Sequence, residues 1–294
     1  MTRSTLASEM HVPGGGPLGA RSPEELALDS SRDWPAIVAV AAFAVSAALL
    51  IPLAWWVPGL AAWLLAAALT MRHPLRVFRL RMGVLLGSVL VLAIVPIGTE
   101  FSNTNFLRIG LAFCAAAAGP YVILRRWDPG VIEYTLWPRR WQATEIFYAL
   151  TSIPLAWFVV HWYFFVATPE MPLQWPIVHT SPAAQIWRLF FGINSIGIWD
   201  ELFFINTVYA VLRSMFSSRV ANLAQAVVYT SVLNDMAFVG VGPVLIYAFA
   251  LIQGVVYERT RALVYVLFVH LVVDAFLIKA ILHYHQPLAV PIHF

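Results

Sequence analysis

Residues 192–212 read GINSIGIWDELFFINTVYAVL, a stretch long and apolar enough to cross a bilayer except that Asp200 and Glu201 stand side by side near its middle. A spanning helix needs about 20 predominantly apolar residues. Even the lower estimates put the cost of a charged side chain at its centre near 3 kcal/mol, so ~6 kcal/mol is at stake for two. Adjacent carboxylates at that depth therefore mark a helix turned toward the protein interior and a place to look for chemistry. No basic residue lies within a turn of them, so an ion pair would need a partner from a distant part of the chain.

The rest of the chain extends this pattern. Of 294 residues, 61% are hydrophobic and 11% charged, against about 45–50% and about 25% in soluble domains. The composition predicts an all-α, polytopic transmembrane helix bundle. Apolar runs near 34–53, 57–71, 82–98, 107–124, 142–166, 184–211, 219–238, 243–257 and 262–282 give eight or nine helices, depending on whether the weak 57–71 run spans. Residues 1–33, rich in Gly, Pro, Ser and acidic side chains, read as a disordered cytoplasmic tail. Residues 34–183 form the N-terminal transmembrane helices, 184–282 a core that collects the intramembrane polar residues, and 283–294 a short tail. The first apolar run starts only near Trp34 and is long enough to span, which predicts a retained helix rather than a cleaved signal.

Arg72, Arg76, Arg79 and Arg81 fall in one predicted connection, Arg125, Arg126, Arg139 and Arg140 in a second, Arg213 and Arg219 in a third, and Arg259 and Arg261 in a fourth. All four become cytoplasmic if the helices alternate, which predicts a multi-pass plasma-membrane protein with its amino terminus inside and its carboxyl terminus outside. Because the net charge of +3 is divided among these connections, it points to membrane lipids as partners and not to nucleic acid. Trp55, Trp56, Trp127, Trp137, Trp141, Trp162 and Trp175 lie near predicted helix ends and read as headgroup anchors. The single cysteine, Cys114, rules out an intramolecular disulfide and a cysteine metal site, and reads as a packing residue.

Further polar groups concentrate after residue 200. His270 and Asp274 in FVHLVVDAFLI are four apart and project from one helix face, as an orienting or proton-relaying pair or as hydrogen-bonded packing residues. Asn234 and Asp235, with Thr230 a turn earlier, either cap a helix before the turn at Gly240 to Pro243 or join a site. The chain has no His-Glu-x-x-His run, no Gly-x-Ser-x-Gly elbow and no phosphate-cradling glycine loop.

From about Ala184 to Leu282, the order of these features resembles the CPBP intramembrane proteases, which include CAAX-type prenyl endopeptidases and bacteriocin-processing or self-immunity proteins. That family carries Glu-Glu-x-x-x-Arg, Phe-x-x-x-His and His-x-x-x-Asn/Asp on successive helices. Here Asp200-Glu201 stands for the first, with Ile205 at the basic position, and His270 with Asp274 stands for the third. The segment Gly254 to Thr260 resembles the family's approach to that third motif. Thr230 and Asn234 fall in the frame of the second, with Asn234 at the histidine position.

The resemblance implies an intramembrane endopeptidase acting on a membrane-associated peptide or protein. Asp200 would activate water, Glu201 would be a structural carboxylate without its basic partner, and His270 with Asp274 would stabilise the oxyanion. Asn234 cannot shuttle a proton near neutral pH, and Asp274 donates only when protonated. Zinc is conceivable on Asp200 or Glu201, His270 and Asp235, with a position open for water. Two other readings stand beside this one. A catalytically silent relative would bind a partner through the same cavity as a scaffold or immunity protein, and a transporter or proton-relay protein would use intramembrane carboxylates as an ion path.

Overall fold

The computed structural model describes residues 33–100, 102–175, 182–236 and 238–285, and within them holds nine helices and no strand. The helices are α1 (Trp34–Leu50), α2 (Trp56–Arg72), α3 (Arg76–Ala93), α4 (Asn103–Trp127), α5 (Ala143–Trp162), α6 (Pro182–Asp200), α7 (Ser218–Asp235), α8 (Gly242–Thr260) and α9 (Leu263–His285). α5 runs on through a π turn, Tyr163–Ala167. α6 continues without a break through a π stretch, Glu201–Tyr209, and a last α turn, Ala210–Arg213.

Local chemistry sets several of the ends. Ser102 and Ser217 cap α4 and α7 by accepting from the amides of Asn105 and Val220. α8 stops where Arg261 adopts a left-handed conformation, φ 52°. Four helical spans, Asn103–Trp127, Ala143–Ala167, Ala184–Arg213 and Leu263–His285, are long and apolar enough to cross a membrane; α1 and α2 are shorter apolar helices. Large apolar side chains such as Leu111, Val122, Phe147, Leu150 and Phe158 point outward from α4 and α5. Water would not tolerate an apolar surface of this extent, and lipid would. The chain is a membrane protein. α6 buries 78% of its apolar span against 28% for α5, so the helix with the paired carboxylates is the central post of the bundle.

Several expectations change. α2 runs to Arg72 and α3 begins at Arg76, so all four arginines of the first predicted connection are helical. Arg81 is buried; its Nε and Nη2 donate to the two oxygens of Asp128 at 2.6 and 3.1 Å, and its Nη1 donates to Ser214 Oγ at 3.0 Å. That fork ties α3 to the end of α4 and the turn after α6. Trp55, Trp56, Trp127, Trp137 and Trp141 are exposed as anchors should be, but Trp175 is buried against Val160, Tyr163, Phe164 and Ile193. Cys114 lies on the exposed face of α4 instead of packing inside. Of the two expected tails, residues 283–285 are the last turn of α9, while 1–32 and 286–294 lie outside the described residues.

α7 and α8 are joined by a polar clamp. Asn222 Nδ2 donates to the carbonyl of Leu251 at 2.9 Å, and Gln225 Nε2 donates to Asn222 Oδ1 and to the carbonyl of Ala250 at 2.8 and 2.9 Å. The clamp requires a glycine opposite, because a Cβ on Gly254 would lie 1.9 Å from Asn222 Oδ1. Gly254→Ala should therefore destabilise the protein by about 1–3 kcal/mol, as overpacking does. Thermal unfolding in detergent should show this as a lowered midpoint. Combining Gly254→Ala with Asn222→Ala should cost less than the sum of the two single changes, because both break the same clamp.

Candidate active site

Asp200 ends the α-helical part of α6 and Glu201 opens its π stretch. Residues adjacent on a helix point about 100° apart, so the two carboxylates reach one partner from two sides. That partner is His270 on α9. Its Nδ1 lies 2.7 Å from Glu201 Oε1, and its Nε2 lies 3.6 Å from Asp200 Oδ2 and 3.7 Å from Asp274 Oδ1. The first is a charge-assisted contact of hydrogen-bond length. The other two are too long for hydrogen bonds and within reach of one bridging water. All four side chains are buried. Asp274 sits one turn after His270, as the spacing of four predicts.

The close approach of α9 depends on Gly197, one turn before the carboxylates. A Cβ there would fall 2.1 Å from Asp274 Oδ2 and 2.9 Å from His270 Cδ2. A glycine in a helix interior carries a propensity penalty. Here it leaves the space that Asp274 and the imidazole occupy.

Two neutral residues also reach Glu201 Oε1, while its buried Oε2 accepts no hydrogen bond from the described residues. Tyr229 on α7 donates to Glu201 Oε1 at 3.3 Å, and its hydroxyl also lies 3.0 Å from His270 Nδ1. Gln253 on α8 donates through Nε2 to Glu201 Oε1 at 3.1 Å and to the carbonyl of Val266 at 2.9 Å. Glu201 therefore does have partners, although Ile205, fully buried, stands where a basic residue was expected. With Nδ1 turned to Glu201 and Tyr229, Nε2 is the ring nitrogen left for chemistry.

Asp200, His270 and Asp274 line a cavity of about 290 Å³, together with Gly197 and an otherwise mostly apolar wall contributed by α5 to α9 and Trp175. Both oxygens of Asp200 and Oδ2 of Asp274 accept no hydrogen bond from the described residues. Glu201 is not on that wall but behind the imidazole.

Asn234 does not reach this centre. It is partly buried and not among the residues lining the cavity, and Thr230 spends its hydroxyl on the Ala226 carbonyl of its own helix at 2.7 Å. The residues of α7 that face the site are Tyr229, against Glu201 and His270, and Leu233, on the cavity wall. The face of α7 turned to the site is thus one residue earlier than the Thr230 and Asn234 face read in the sequence, and it presents Tyr229 and Leu233. The side chain of Asp235 lies outside the described residues. Of the expected zinc ligands, Asp200 and His270 Nε2 face each other at 3.6 Å, while Glu201 lies against Nδ1 on the other side of the ring. No group of three or more His, Cys, Asp or Glu among the described residues is placed to hold a metal ion.

Tyr229, Gln253 and Gly197 escaped sequence reasoning. Gln253 carried the clearest signal, as a lone polar side chain in the apolar run IYAFALIQGVV.

Neither the curated proteins nor the solved structures gave a match. Residues 182–276, about a third of the chain and the part that supplies Asp200, Glu201, Tyr229, Gln253, His270 and Asp274, match the family model described as type II CAAX prenyl endopeptidase Rce1-like.

Proposed function

We propose that the chain is an intramembrane endopeptidase that hydrolyses a peptide bond in a membrane-associated peptide or protein, in the plasma membrane. The observation that carries this reading is the placement of Asp200, His270 Nε2 and Asp274 together on one wall of an apolar cavity. Such a cavity takes an apolar stretch of substrate and presents it to a few polar groups. The low-dielectric surroundings strengthen every charge interaction inside.

Asp200 as carboxylate accepts a proton from a water molecule whose oxygen bonds to the scissile carbonyl carbon. The carbonyl π pair moves onto oxygen, where the imidazolium N–H at Nε2 and protonated Asp274 stabilise it. The pair then returns, the C–N bond breaks, and the departing amine takes the proton held by Asp200. Water is divided between the new carboxyl and amino ends, and the protein ends unchanged. Glu201 fixes the imidazole from behind, as the buried carboxylate does in serine-protease triads.

One observation favours a second reading. Leu233 places an apolar side chain on the cavity wall, on the helix where the resembled family carries its second imidazole. A protein silenced in this way would still bind an apolar peptide and act as a scaffold.

Cleavage of membrane-tethered peptides by the reconstituted protein decides between them. The peptidase reading expects cleavage that Asp200→Asn and His270→Ala reduce by about 10²–10⁴-fold, the usual contribution of a general acid or base, and that EDTA leaves unchanged. Binding of the same peptides with no cleavage by wild type would support the scaffold instead. Gly197→Ala should also lower turnover on the order of 100-fold by displacing Asp274 and His270.

A further inference from the structure

We propose that Gln253 and Tyr148 are positioning residues that set the orientation of the His270 ring, linking the cavity wall to the back of the imidazole through Glu201. The inference rests on the peptidase reading for its consequence in turnover, but its geometry stands apart from that reading.

Gln253 is fully buried on α8, and each polar atom of its carboxamide is engaged. One side of its amide group meets Glu201 Oε1 at 3.1 Å and the other meets the Val266 carbonyl of α9 at 2.9 Å. Its Oε1 accepts from the hydroxyl of Tyr148 on α5 at 3.2 Å. The side chain therefore connects α5, α6 and α9 to α8 at one point. Tyr148 itself lines the cavity. A continuous chain of hydrogen bonds runs from the cavity wall at Tyr148, through Gln253, to Glu201 Oε1 and on to His270 Nδ1 at 2.7 Å.

The neutrality of the amide matters. Glu201 Oε1 also accepts from Tyr229, so the donors that hold the carboxylate besides His270 are uncharged. A basic residue at that place would compete with the imidazole for the carboxylate's charge. An amide fixes the oxygen and leaves its charge directed at Nδ1. Ile205, fully buried and apolar, cannot supply a donor from within α6, so Gln253 provides it from another helix. A substrate segment that presses on Tyr148 would act on the ring through this chain.

The test compares wild type with Gln253→Leu, which removes all three hydrogen bonds, and Tyr148→Phe, which removes one hydroxyl and keeps the ring. The first readout is imidazole 15N NMR of the histidine-labelled full chain in detergent micelles, with the His270 signals identified by their loss in His270→Gln. We expect the His270 Nδ1 signal to move toward that of a free imidazole in Gln253→Leu, and by a smaller shift in the same direction in Tyr148→Phe. His270 signals that superimpose on wild type in both variants overturn the proposal, whether or not any peptide is cleaved. The second readout is kinetic: kcat should fall on the order of 10- to 100-fold in Gln253→Leu with KM within about twofold. An unchanged kcat beside a shifted Nδ1 signal would overturn the consequence for turnover. Absence of cleavage by wild type beside a shifted signal would count against the peptidase reading and leave the positioning intact.

Discussion

A carboxylate and an imidazole that leave water together need each other, and the contact between Glu201 and His270 is the one on which the remaining structure turns. Each side chain alone would be an uncompensated polar group deep in the bundle. Breaking such a buried pair by removing one partner costs several kcal/mol, typically about 3–5. Satisfying the pair requires α6 and α9 to approach closely. That explains Gly197, whose missing side chain is the space Asp274 and His270 fill. It also explains Tyr229 and Gln253, which bring α7 and α8 to the same carboxylate oxygen. Four helices are thus fixed around one polar point, and the apolar surface outside needs only to suit lipid.

The same contact divides the labour of the two adjacent carboxylates. Glu201 is withdrawn behind the ring, and Asp200 is left on the cavity wall with both oxygens unengaged by the described side chains. Adjacent residues on a helix cannot share a face, and here the angle between them puts Glu201 behind the ring and Asp200 on the cavity wall. The π stretch begins at this point, in the manner of π segments elsewhere that accompany functional sites. Leu233 gives the site its asymmetry. Among the described residues the imidazole on α9 has no counterpart across the cavity, and the proposed peptidase chemistry leaves proton handling to Asp200, His270 and Asp274.

Much of this was legible in the sequence because the bilayer imposes strong rules. Apolar length located the helices, and the cost of intramembrane charge singled out Asp200, Glu201, His270 and Asp274, all four of which converge. Charge rules failed where an arginine is buried, as with Arg81, because a helix that carries its counter-ion from another segment no longer needs to end at the basic residue. Register on α7 was misread because Thr230 and Asn234 are the more polar choices, while the helix presents Tyr229 and Leu233 to the site. Polarity was a poor guide there, since Thr230 can satisfy itself against its own helix. Gln253 was visible only as a lone amide in an apolar run and Tyr148 not at all, because only the crossing of separate helices shows what they hold.

In the proposed chemistry, water activated at Asp200 attacks the scissile carbonyl directly. A single turnover in water enriched in 18O, with mass spectrometry of both product and protein, tests it. The account predicts one 18O atom in the new carboxyl end of the product at the first turnover and no label in Asp200. Label in Asp200 with an unlabelled first product would show the carboxylate to be a nucleophile, and absence of any product would show no hydrolysis; either result would contradict direct attack by water.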